Sequence, residues 1–192
     1  MNPSTSKPPA KSILVLALAS ALLLGAAKAS AHDEGESRLS PRVQAQIADA
    51  RRATASFHNI GAAFAAGYGP APVVDLQGRA CIEQPGQGAM GIHYVNGNLL
   101  TAHLSPLQPQ ALIYEPMPDG TVRLVGAEYI VFKSAWDGLF PGTTPMLFDQ
   151  PFHLVPAGNR YGLPAFYALH LWLWQPNRSG MFADWNPQVR CP

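Results

Sequence analysis

Two histidines and a glutamate stand inside segments that otherwise read as apolar strands: His93 in Met90-Gly91-Ile92-His93-Tyr94-Val95, Glu128 in Gly126-Ala127-Glu128-Tyr129-Ile130, and His170 in Phe166–Trp174. A glutamate is rarely buried without a partner, because the charge must be neutralised or paired once water is removed. Two imidazoles and one carboxylate converging on one sheet face would bind a divalent metal such as Zn²⁺ or Cu²⁺ and leave a coordination position open. Two ordinary outcomes compete with that chemistry. The histidines are satisfied within the core, or Glu128 pairs with an arginine such as Arg123 or Arg79. His103 and His153 lie in expected loops and are candidate additional ligands or acid–base groups.

A second set lies near the C-terminus. Trp172, Trp174 and Trp185 occur close to Arg178 and Asp184, within a segment running through Ser179-Gly180-Met181-Phe182-Ala183-Asp184-Trp185-Asn186-Pro187. As a functional surface this is an aromatic-lined groove in which Arg178 and Asp184 fix a polar ligand. As structure it is a loop folded back over the sheet. No nucleophile elbow, phosphate-binding loop, dinucleotide fingerprint or H-E-x-x-H helix occurs, so none of those chemistries has a motif behind it.

The elements that must position these residues follow from periodicity. Ser40-Pro41 is a helix start, with Ser40 as cap and Pro41 at the first helical position. Val43, Ile47, Ala50, Phe57, Ile60 and Phe64 then recur at helical spacing, which predicts one amphipathic helix of about 24 residues. Gly67-Tyr68-Gly69-Pro70 stops it. Beyond it the period falls to two over 90–95, 111–115, 121–132 and 166–174, with Pro116–Gly120 as a hairpin turn. Residues 68–88 and 134–159 read as Pro/Gly-rich loops. The expected fold class is therefore α+β: one long N-terminal amphipathic helix packed on an antiparallel sheet of about four to five strands.

The setting of this domain is read from its N-terminus. Lys7 and Lys11 precede a 16-residue apolar stretch from Ser12 to Ala27, followed by two small-residue cleavage sites, Ala27-Lys28-Ala29 and the preferred Ala29-Ser30-Ala31. This is the pattern of a secretory signal peptide over 1–31, too short for a membrane span. It leaves a leader over 32–39, a single domain over 40–192, and no membrane span after cleavage. Cleavage would place His32 at a free amine, a possible copper ligand, although the polar leader behind it does not hold it in place. Removing Lys7, Lys11 and Lys28 leaves 10 basic against 12 acidic residues, so the mature chain is slightly acidic and lacks the basic surface that nucleic acid requires. Periplasmic or secreted localisation is expected. There, Cys81 and Cys191, with no C-x-x-C spacing, suit a single disulfide.

Gly88-Ala89-Met90-Gly91-Ile92-His93-Tyr94-Val95-Asn96, Val125–Tyr129 and Ser179–Pro187 with the following Cys191 resemble a group of exported bacterial proteins without an assigned activity. The resemblance runs from the helix around Ala53 to the C-terminus. It implies an envelope or secreted setting and supplies no catalytic residue. Two functions are expected from the residues themselves. One is a non-catalytic domain binding a small molecule or envelope protein through its tryptophans. The other is a metal-binding protein or metal-dependent enzyme using His93, Glu128 and His170.

Overall fold

The computed structural model describes Met1 and residues 39–192. The export segment, His32 and the leader up to residue 38 lie outside the described residues.

Helical backbone runs from α1 (Pro41–Thr54) through a 3₁₀ turn (Ala55–His58), then breaks at Asn59 before a short α2 (Ile60–Ala65). Ser40 caps α1 as its spacing implies, its hydroxyl accepting a hydrogen bond from Val43 N at 3.2 Å. Asn59 adopts an extended conformation, and its side chain accepts from Gly61 N at 2.9 Å, capping α2 instead of continuing the first helix. Asparagine competes for backbone donors in this way, which is why it favours caps over helix interiors.

The remainder is mostly strand: β1 (Cys81–Gln84), β2 (Gly88–Val95), β3 (Ala111–Pro116), β4 (Val122–Phe132), then α3 (Lys133–Leu139), β5 (Met146–Leu147), β6 (Gln150–Pro151), β7 (His153–Val155) and β8 (Phe166–Leu171). Six of these form one antiparallel sheet in the order β1-β2-β3-β4-β8-β7, and β5 and β6 pair separately. The expected architecture, one long N-terminal amphipathic helix on four to five strands, is thus corrected. The helix is divided by Asn59, and the fold is predominantly β. The extra strands come from segments read as loops. β1 and β7 each lie against a longer neighbour, β2 and β8, whose free edge recruits them.

Direct partners in an antiparallel sheet share a face, so the register sorts the residues. Tyr94, Leu112, Ala127 and Leu171 form one row, and Tyr129–Leu169 and Val131–Tyr167 extend it. This face is closed by the helices: Val43, Ile47 and Ala50 of α1 join Tyr129, Val131 and Leu169, while Ala63 and Tyr68 join Leu112, Tyr114 and Leu124. The opposite face carries Val95, Ala111, Glu128 and His170 in one row, with His93, Ile113 and Gly126 in the next.

Among the described residues neither α1 nor α2 packs on that second face. Part of it is roofed by the C-terminal segment, which bridges to β2 through Ala89 and Asn186. A Cβ at residue 88 would lie 2.2 Å from Asn186 O, and Gly88 has φ +104°, so only glycine permits this approach. Trp172 and Val189 join Ala89, Ile113 and Val125 beneath the roof. A disulfide between Cys81 and Cys191, with Cα atoms 5.6 Å apart, ties the segment to β1. That bond places the described domain in the class of proteins that fold under oxidising conditions. Among the described residues no helix is long and apolar enough to cross a membrane.

Candidate metal centre

His93 on β2, Glu128 on β4 and His170 on β8 converge on the second face. Glu128 and His170 are direct cross-strand partners. His93 lies one strand further away and meets them across β3, where Ala111 presents only a methyl group. The two Nε2 atoms stand 3.5 Å apart. Glu128 Oε2 is 3.6 Å from His93 Nε2, and Glu128 Oε1 is 3.7 Å from His170 Nε2. All three residues are buried.

These distances match a coordination sphere. Taking one ligand atom from each residue, the three lie within 4.8 Å of one another, a spacing that suits ligands about 2 Å from a shared zinc ion. The arginines that offered a competing account of Glu128 are engaged elsewhere: Arg123 pairs with Glu115 at 2.5 Å and Arg79 with Asp75 at 2.8 Å. The buried group His93, Glu128 and His170 can therefore hold a metal ion.

The C-terminal segment adds a fourth residue. Asp184 Oδ1 lies 3.4 Å from His170 Nδ1, within ion-pair reach but not aligned for a hydrogen bond, so this buried nitrogen has no hydrogen-bond partner. On its other side Asp184 meets His153 Nδ1 at 3.1 Å, at the exposed margin of the sheet. A carboxylate behind a ring nitrogen favours the tautomer whose proton sits on that nitrogen, which here leaves Nε2 of His170 free to ligate.

Electrostatics separate the two imidazoles. Burial, reinforced by the neighbouring His170, pushes His93 down to about 3, so its ring is neutral at physiological pH. Burial also opposes a charge on His170, but the carboxylates of Glu128 and then Asp184 outweigh it and move this histidine up. Glu128 moves up because burial and the charge of Asp184 exceed the pull of His170. Asp184 is moved up by burial, but the contacts with His170 and His153 prevail and hold it below the usual carboxylate range. Without a metal, among the described residues, the His170 Nδ1 atom has no hydrogen-bond partner and the Glu128 carboxylate has only the two imidazoles beside it. A divalent cation held between them would satisfy all three donors.

His93 and Glu128 also form the floor of a cavity of about 220 Å³. Its walls include Val95, Leu100, Ile130, Phe132, Leu163 and Phe166, with Tyr161 as a further polar neighbour.

The tryptophan set does not assemble into one surface. Trp172 is buried under the roof, where its Nε1 donates to Ala183 O at 2.6 Å and its ring stacks on His170 with centroids 6.1 Å apart. Trp174 packs instead among the helix-side clusters, with Nε1 donating to Thr54 Oγ1 at 3.3 Å and its ring against His58. The alternation expected through 174 ends at Leu171, because Trp172 N bonds Met181 O while Trp174 N bonds Val125 O. Trp185 lies under the Arg160 guanidinium at 5.8 Å beside a shallow surface depression with Asp184 and His153. Arg178 and His103 are exposed and stand apart from these groups. Comparison of the chain with protein-family models, curated proteins and solved structures returned no match.

Proposed function

We propose that this chain is an exported metal-binding protein that takes Zn²⁺ or Cu²⁺ between His93, Glu128 and His170. One observation carries the reading: nitrogen and oxygen donors from three different strands lie 3.5–3.7 Å apart in a buried setting, without an arginine or lysine to neutralise the carboxylate. Two imidazoles and a carboxylate suit both ions, and three protein ligands leave room for an exogenous one. The periplasm or the extracellular space is the proposed location. The charged, apolar and small-residue order of residues 1–31 supports it, as do the disulfide and the resemblance to exported bacterial proteins.

Mature protein purified from its exported fraction is expected to contain about one equivalent of metal by elemental analysis. After chelation, Zn²⁺ or Cu²⁺ should raise its melting temperature, and the His93→Ala variant should lose that response. A preparation without stoichiometric metal, whose melting temperature neither ion moves, would overturn the proposal.

A further inference from the structure

The cavity beside the candidate metal centre is lined mostly by apolar side chains, with His93, Glu128 and Tyr161 as its polar members. His93 and Glu128, 6% and 7% exposed, make its floor, while Val95, Ile130, Phe132 and Phe166 continue upward as apolar walls to Leu163 at the rim. A buried histidine and carboxylate are ordinarily sealed by neighbouring side chains. Here β3 contributes only Ala111 at this point, and the C-terminal roof covers the other half of the face. A partly open apolar cleft with a few convergent polar groups has the make-up of a small-molecule site.

Charge selects the head group. A divalent ion held by one carboxylate and two neutral imidazoles keeps one positive charge unneutralised by its direct ligands, and two of those ligands, His93 and Glu128, line the cavity. Tyr161 on the wall supplies a phenol that can donate to a second oxygen. We infer that the cavity takes an unbranched aliphatic monocarboxylate, its carboxylate at the His93–Glu128–His170 centre and its chain along Ile130, Phe132 and Phe166. This inference rests on the metal reading above.

The test is calorimetric titration of zinc-loaded, full-length protein with the straight-chain carboxylates from acetate to octanoate and with the corresponding primary alcohols. Affinity should rise about fourfold per methylene until the cavity is filled, and each alcohol should bind more weakly than its carboxylate. Leu163 is 38% exposed, so Leu163→Asp should leave the fold and zinc affinity intact. It should weaken octanoate by roughly tenfold and leave acetate unchanged. Acetate and octanoate binding alike, or alcohols binding as tightly as carboxylates, would overturn the inference. Zinc titration of the same preparation without carboxylate separates the two claims. Zinc binding with a flat chain-length series removes only the cavity assignment, and absence of zinc binding removes both.

Discussion

The two faces of one sheet have been put to opposite uses. On the helix side, Tyr129, Leu112, Tyr114 and Leu171 are fully or almost fully buried and meet α1 and α2 in continuous apolar contact. On the other side the same strands carry His93, Glu128 and His170, roofed in part by a disulfide-tied segment and in part by nothing but a cavity. Alternation makes this possible: each strand donates one set of residues to stability and the other to chemistry, at a cost borne by the first. The lesson is that the polar cluster need not hold the fold together, and the helix-side core need not touch the ion.

The sharpest way to break that division is on the helix side. Tyr129→Ala is expected to lower unfolding free energy by about 3–5 kcal/mol in urea titration, while the fraction that remains folded keeps its zinc affinity. A matching loss of zinc affinity in that folded fraction would show the faces to be coupled. Replacing both cysteines, Cys81→Ser with Cys191→Ser, tests the roof. Loss of a bond spanning 110 residues should cost about 2–5 kcal/mol, and zinc affinity should fall as well because Asp184 is no longer held at His170. Unchanged affinity would free the centre from the roof.

Finer tests follow on the polar side. Asp184→Asn keeps the shape of the segment but removes the charge behind His170. It should weaken zinc binding about ten- to a hundredfold with little change in melting temperature for the metal-free protein. A separate test is a pH dependence in that metal-free form. His93 falls from an ordinary value of 6.5 to about 3 on folding. Its contribution to stability is therefore fully present above pH 6.5 and is lost progressively as pH drops toward about 3. The His93→Phe variant should show a shallower decline across that window. A profile as steep as that of the unmodified protein would assign the acid sensitivity to other groups.

Much of the centre was legible before any coordinates, because strand alternation alone marks His93, Glu128 and His170 as side chains that break an apolar rhythm. Their meeting was not legible. Strand adjacency depends on the β4–β8 ladder, which joins segments separated by α3 and three short strands. Asp184 could be read as a polar residue in an aromatic segment but not as the neighbour of His170, since its position depends on the backbone bridge from Asn186 to Ala89. The helix misleads for a local reason. Phe57, Ile60 and Phe64 keep helical spacing with Val43 and Ile47, yet a 3₁₀ turn and the Asn59 cap redirect the chain between them. Trp172 and Trp174 mislead likewise, as the strand leaves the ladder after Leu171.

The Cys81–Cys191 bond has a consequence for the order in which the molecule is assembled. Synthesis delivers Cys81 110 residues ahead of its partner, so every strand bearing a metal-binding side chain exists before the latch can close. Asp184 belongs to the part of the chain that arrives with that latch. The centre is thus built in two stages: an open three-residue site first, then a carboxylate fastened behind it by an oxidation step. Wherever thiols stay reduced the second stage has no covalent lock, so the carboxylate is fastened behind His170 only where the chain becomes oxidised.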